Sequence, residues 1–362
     1  MTTAYETLCD RLRQEPRRWL ITGAAGFIGS NLLERLLELG QHVVGVDNFI
    51  TGHRANLEDA CSRTASGARF EFIEGDICDP SVCERAVVGA DYVLHQAALG
   101  SVPRSVDNPG ASHASNVDGF VNLIDAARRA SVKRFVYASS SSVYGTDTSD
   151  VKSEERIGKP LSPYAATKLI DEVYADVFTR VYGIETAGLR YFNVFGARQD
   201  PDGPYAAVIP RWTQHLLDDE PCLLFGEGSK SRDFCYIANV VQANLLAATA
   251  PSEAAEARVF NIACGERTTL LSLFELIRER VAQHHPRARS TDLSARPPQV
   301  GDIPHSLADI SRARQYLGYE PTHDIARGLD ETTNWYMARN DARPSASAHA
   351  GKSTTASLGT DA

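Results

Sequence analysis

The sequence predicts an α/β protein, a doubly wound parallel sheet with a smaller C-terminal lobe. Short, near-continuously apolar runs alternate with segments of helical spacing, the pattern of parallel strands covered on both faces. A glycine triplet stands where the first run passes into the first helix. At 362 residues the chain also exceeds one core of ~150 residues, so two lobes with a cleft between them are expected.

Residues 1–16 carry Tyr5, Leu8 and Leu12 at helical spacing and close at Pro16, which predicts a short amphipathic helix packed on the main domain. Strands follow at 19–22, 43–46, 70–73, 92–94, 135–137 and 186–192, with a helix reaching Leu39 after the first. They define a doubly wound domain over 17–200. Beyond it, Gly- and Pro-rich pieces with helices at 206–218 and 268–283 suit a second lobe over 201–338. The strand-like stretches 234–237 and 259–262 are expected to return to the first domain, making the boundary discontinuous. Residues 339–362 are small and polar without periodicity, and such a tail buries too little apolar surface to order itself.

With 43% hydrophobic and 23% charged residues the composition is that of an ordinary soluble protein. A net charge of -9 argues against a dedicated nucleic-acid or anionic-membrane binder, while leaving room for a small anion held by a few local donors. The seven cysteines (Cys9, Cys61, Cys78, Cys83, Cys222, Cys235, Cys264) are scattered, without a Cys-x-x-Cys pair or a His cluster, and read as reduced structural thiols and not a metal site. Glu6, Asp10, Arg11, Arg13, Glu15, Arg17 and Arg18 precede any apolar run, and no run approaches the ~20 residues of a membrane span, so the chain is expected in the cytoplasm.

Thr22-Gly23-Ala24-Ala25-Gly26-Phe27-Ile28-Gly29 joins the first strand to the first helix, where the amides around Phe27 and Ile28 can face a pyrophosphate. Gly23 suits a tight turn, Gly26 lets phosphates approach the backbone, and Gly29 lets helix and strand pack closely. Alone, the triplet fits a plain strand-to-helix turn. Asp47, 24 residues after Gly23, supplies the context, lying near the ~20-residue distance of a carboxylate that binds an adenosine ribose. Such a carboxylate accepts ribose hydroxyls and repels a 2'-phosphate, which favours NAD over NADP. Asp76-Ile77 and Gln96-Ala97-Ala98 follow later strands and are either further cofactor contacts or ordinary strand ends.

Tyr164 and Lys168 lie four apart in an apolar-periodic segment opened by Ser162-Pro163, so they share a helix face. A phenol titrates near pH ~10, and a neighbouring ammonium favours the phenolate, so this tyrosine can serve as a base near neutrality. The run Ser139-Ser140-Ser141-Ser142 follows the strand at 135, where hydroxyls enter the ligand crevice of a parallel sheet. Together the three features point to one catalytic serine among the four.

These motifs, with VDNFITGH, LHQAALGSVPRS, KPLSPYAATK, LRYFNVFG, AAVIP and SRDFCYI in this order, resemble the extended short-chain dehydrogenase/reductases of the UDP-sugar 4-epimerase group. Within it the chain is most similar to bacterial UDP-N-acetylglucosamine 4-epimerases of polysaccharide synthesis, from the N-terminal helix to about Met337. The resemblance implies a Rossmann-type fold, with NAD contacts at Gly23, Gly26, Phe27, Ile28, Gly29, Asp47, Asn48, Asp76, Ile77, Gln96, Ala97, Tyr164, Lys168 and Tyr191. It places the assisting hydroxyl on Ser140, the base on Tyr164 and its tuning lysine on Lys168. It also implies sugar contacts at Gly100, Ser101, Val102, Ser140, Ser141 and Ser306, and UDP contacts at Asn193, Ala207, Val208, Arg232 and Asp302.

One departure stands out: the family's Arg three residues before the Asp is Gln299 here, which implies weaker UDP binding unless Arg296 substitutes. Four residues past that Asp, a large Tyr in relatives restricted to glucose and galactose is replaced by Ser306, which implies room for a 2-acetamido group. The implied reaction removes the O4 proton and the C4 hydride, turns the 4-keto sugar over on its UDP anchor, and returns both. Within the same fold the alternative is a sugar-nucleotide 4,6-dehydratase or decarboxylase; Ser141-Ser142 in place of an Asp-Glu pair weighs against the dehydratase. A non-catalytic NAD-binding regulator is the other alternative. Helices near 111–130 and 163–181 are expected to pair with their copies in a homodimer.

Overall fold

Seven parallel strands form the central sheet of the computed structural model, which describes residues 2–64, 69–202, 206–252, 258–297 and 305–341. They are β1 (Arg18–Thr22), β2 (His42–Asp47), β3 (Arg69–Glu74), β4 (Tyr92–His95), β5 (Arg134–Ser140), β6 (Thr186–Tyr191) and β7 (Val259–Ile262), in the order β7-β6-β5-β4-β1-β2-β3. The chain leaves β1 toward β2 and β3 on one side and comes back to β4 on the other. That reversal parts the connections at the carboxyl ends of β1 and β4, where Thr22 stands opposite His95, and opens a crevice there.

Helices cover both faces because the strands are apolar on both. On one face Leu32 and Leu36 of the helix Phe27–Glu38 join Trp19 and Ile21 of β1, together with Leu245 of the helix Ile237–Thr249. On the other, Leu123 and Ile124 of the helix Gly119–Arg129 and Phe178 of the helix Pro163–Tyr182 pack on Leu20, Val93 and Phe135. Each such side chain, when fully buried, contributes about 1.5–3 kcal/mol. At the edge, β3 is more exposed and carries Arg69, Glu71 and Glu74, charges that discourage pairing with another sheet.

The N-terminal helix Ala4–Gln14 starts at a capping box in which Thr3 and Glu6 exchange hydrogen bonds, and it buries Leu8, Cys9 and Leu12. Of the two stretches expected to return, Val259–Ile262 joins the central sheet beside β6. The other contributes only Cys235–Tyr236, paired with Val194–Phe195, because the apolar helix Ile237–Thr249 begins at once. The helix expected near 111–130 is interrupted: Pro109–His113 passes through a π turn at Ala114–Asp118 into Gly119–Arg129. The last helix, Ile325–Asp341, runs past the expected start of the tail, with the Arg339 guanidinium 5.4 Å from the Trp335 ring centre. The remainder of that tail, from 342, lies outside the described residues.

Candidate active site

The turn after β1 is built to keep backbone amides exposed. Gly23 has φ +70°, and a Cβ there would come within 2.8 Å of the Ala97 amide nitrogen. A Cβ on Gly29 would lie 2.0 Å from the Gly23 carbonyl oxygen, so helix and turn approach this closely only because Gly29 lacks a side chain. The helix Phe27–Glu38 opens at Gly26 without a side-chain cap, which leaves its first amides for an anion.

Gly23, Gly26, Asp47, Asn48, Asp76, Ile77, Gln96 and Ala97 line a single cleft. The Ala25 and Phe49 amides donate to the Asp47 carboxylate at 2.9 and 2.8 Å; burial raises its pKa more than these bonds lower it. Asp76 shows the opposite balance: burial raises, but bonds from the Cys78 amide and the Asn48 side chain hold it below the usual range. Deeper in, Tyr191 donates to Gln96 at 3.1 Å, Gln96 to Asn244 at 3.1 Å, and Asn244 to the Tyr191 hydroxyl at 2.9 Å. The Tyr191 hydroxyl is therefore spent on a closed ring, leaving its backbone and ring face as what it offers a cofactor.

The helix Pro163–Tyr182 starts with Ser162 capping the Ala165 amide and Pro163 in the first turn. It packs against β5 and the turn Ser141–Tyr144, the segments that carry the serine run, with Tyr164 half-buried and Lys168 fully buried. The four serines differ in what they do. Ser139 donates to Glu172 at 2.5 Å, tying β5 to the helix. Ser140 accepts the Ser142 amide at 3.1 Å, which keeps its own hydroxyl proton available to a ligand. Ser141 is half-buried, and the buried Ser142 hydroxyl has no partner among the described residues. Asn116, in the π turn, accepts the Leu99 amide at 2.7 Å and donates to Thr167 at 3.1 Å, locking the loop before Gly100 to the same helix. Ser101 then caps the helix Val102–Asp107.

The second lobe is tied in through its main chain. Asn193, at φ +24°, donates from its side chain to the Asp233 carbonyl at 3.1 Å, and the Ser306 amide donates to the Ser231 carbonyl at 3.1 Å. These bonds flank Arg232 and draw Asn193, Arg232 and the buried Ser306 into one neighbourhood. Asp233 anchors it by accepting amides of Cys264, Gly265 and Ala308. Ala207 and Val208 begin the helix Val208–Leu217, whose start also lacks a side-chain cap. Gln299 and Asp302 lie outside the described residues.

A sequence model of the NAD dependent epimerase/dehydratase family matches residues 19–263. The chain belongs to that family. A UDP-glucose 4-epimerase of Mycolicibacterium smegmatis is 37% identical over 326 residues, which is 89% of this chain and 99% of that protein. Among solved structures, a UDP-N-acetylglucosamine 4-epimerase from Methanobrevibacter ruminantium M1 in complex with UDP-N-acetylmuramic acid superposes with a TM-score of 0.81 at 34% identity, covering 90% of this chain and 99% of that one. A UDP-glucuronic acid 4-epimerase from Bacillus cereus in complex with UDP-glucuronic acid and NAD gives 0.78 at 30% identity, covering 89% and 99%.

As a member of this NAD-dependent epimerase/dehydratase family the protein uses NAD, and its residues fit it: glycines where a Cβ would collide, an uncapped helix start and a ribose-type carboxylate share one cleft. Thr51, Leu99 and Ser115 also line this cleft, and Asn244 closes the ring behind it, although the sequence alone assigns them no role. Thr51 and Leu99 fall inside VDNFITGH and LHQAALGSVPRS, whereas Ser115 and Asn244 lie outside the motifs. Sequence reasoning also passed over His95 and Asp171, which stand beside Lys168. The spacing of Asp171 from Lys168 was the available signal.

Proposed function

We propose that the protein interconverts UDP-N-acetylhexosamines at C4, UDP-GlcNAc with UDP-GalNAc, and also accepts UDP-Glc and UDP-Gal, supplying precursors of surface polysaccharides. Epimerisation of a UDP-sugar is supported by the family and by relatives named 4-epimerases along nearly their whole length. The N-acetylated preference rests on one observation, the small buried Ser306 bonded through its amide to the strand that holds Arg232. The similarity to the Methanobrevibacter UDP-N-acetylglucosamine 4-epimerase is in keeping with it.

In this reading Tyr164 takes the O4 proton as a phenolate and later returns it, Lys168 favours that phenolate, and the Ser140 hydroxyl donates to the same oxygen. Bound NAD supplies a hydride acceptor that becomes the donor of the return step. Arg232, Asn193, Ala207, Val208 and Asp302 hold the UDP, with the planar guanidinium suited to a pyrophosphate. Gly100, Ser101, Val102, Ser141 and Ser306 leave the sugar loosely held, so that it turns between the two transfers. We assign 17–200 to the cofactor and 201–338 to the sugar nucleotide.

We also propose a cytoplasmic homodimer. Val173, Val177 and Val181 form an exposed stripe along the helix Pro163–Tyr182, and Tyr174 and Tyr182 widen it. Light scattering that finds only a 39.4 kDa species would refute the dimer. For the reaction, purified protein is incubated separately with the four UDP-sugars and the products are resolved. UDP-GalNAc from UDP-GlcNAc is expected. Turnover confined to UDP-Glc and UDP-Gal removes the substrate assignment, and a 4-keto-6-deoxy product replaces epimerase with dehydratase.

A further inference from the structure

The Lys168 ammonium has a partner inside the protein. Asp171, one turn further along the same helix, places Oδ2 3.2 Å from Lys168 Nζ, with side chains 0% and 2% exposed respectively. The other carboxylate oxygen of Asp171 has no hydrogen-bond partner among the described residues. Among the described residues Lys168 is the cation that acts on this carboxylate. Glu172 next to it is engaged by Arg190 through two bonds, at 2.9 and 2.8 Å.

We propose that Asp171 is the counter-ion that positions Lys168 and damps its charge at Tyr164, so that it sets the pH at which the base works. This rests on the assignment of Tyr164 as base and Lys168 as its tuner given above. An ammonium lowers the pKa of a nearby phenol, and a carboxylate in contact with that ammonium cancels part of the effect. The surroundings add little that competes. On β4, His95 is buried, and burial together with the Lys168 charge brings its imidazole down to about 3, so it is neutral. On β5, Tyr137 is fully buried and its phenol is pushed well up, chiefly by burial and by Glu172 and Asp171. Glu172, on the helix itself, is neutralised by Arg190 of β6, and Arg258 before β7 acts on Tyr137. The Asp171 carboxyl is itself pushed up to about 7, by burial first and against the pull of Lys168. The damping therefore strengthens as the pH rises through neutrality.

The test compares NAD-loaded wild type, Asp171→Asn and Tyr164→Phe proteins. Asparagine keeps an oxygen for Lys168 and removes the negative charge. Tyr164 is titrated by its tyrosinate absorbance, taken as the difference from the matching Tyr164→Phe protein, and kcat/KM is measured against pH. In Asp171→Asn both midpoints are expected to fall by about one pH unit. Unchanged midpoints in the folded variant, with any activity loss uniform across pH, overturn the proposal and leave Asp171 a packing residue. If asparagine prevents folding, Asp171→Ser is judged by the same two midpoints. Full turnover by Tyr164→Phe would defeat the base assignment instead, while the absorbance midpoints still decide whether Asp171 acts on Tyr164.

Discussion

Replacing Glu172 by Gln isolates the join between the reactive helix and the sheet. Glu172 and Arg190 have side chains 8% and 4% exposed and meet through two bonds, at 2.9 and 2.8 Å. Glu172 also accepts Ser139, and Arg190 reaches the Tyr144 hydroxyl at 3.1 Å. Glutamine keeps one acceptor oxygen but leaves the guanidinium as a buried charge without a counter-charge. Breaking such a pair costs about 3–5 kcal/mol, and the retained oxygen argues for the lower end. Against a total stability of ~5–15 kcal/mol this is a large fraction, worth roughly 5–10 °C in Tm. Calorimetry of wild type and Glu172→Gln reads it directly. The double change Glu172→Leu with Arg190→Leu should be more stable than Glu172→Gln, because both charges leave together. Because Ser139 stands next to Ser140, kcat should also fall roughly tenfold or more through misplacement. A Tm within 2 °C of wild type, on the order of 1 kcal/mol or less, would refute the claim that this pair is desolvated and holds the helix.

Gly29→Ala must displace the turn, since its Cβ would sit 2.0 Å from the Gly23 oxygen. We expect about 1–3 kcal/mol of destabilisation and loss of co-purifying NAD, read by thermal melts and nucleotide content. Ser306→Tyr should suppress turnover of the N-acetylated pair about 100-fold or more relative to UDP-Glc and UDP-Gal, measured as the ratio of kcat/KM values. For Asp171→Asn, stability should be compared with wild type across pH. A native carboxyl raised to about 7, against ~3.9 unfolded, binds its proton more tightly when folded, so its contribution declines as the pH rises from ~4 to ~7. The variant lacks that decline, so its Tm relative to wild type should climb over this interval and level off above it. Parallel curves would contradict a buried carboxyl whose desolvation outweighs the pull of Lys168.

What could be read from the chain alone was local. Alternation of apolar runs with helical spacing marks the strands, and the spacing of Gly23, Gly26 and Gly29 marks the turn, because a strand-to-helix turn is set by neighbours a few residues away. The same holds for Tyr164 and Lys168, since four residues on a helix place two side chains on one face whatever surrounds them. Other decisions needed the folded chain. Tyr191 meets Gln96 across 95 residues of sequence, and Gln96 meets Asn244 across 148, so no spacing rule announces that ring. A two-residue strand at Cys235 and a full sheet strand at Val259 look alike as apolar runs and differ by which backbone lies alongside. The spacing of Asp171 from Lys168 is legible, but only the packing of the helix against β5 and β6 removes water from the pair. Burial and long-range contact set the strength of a charge, and both arise when distant segments close on each other.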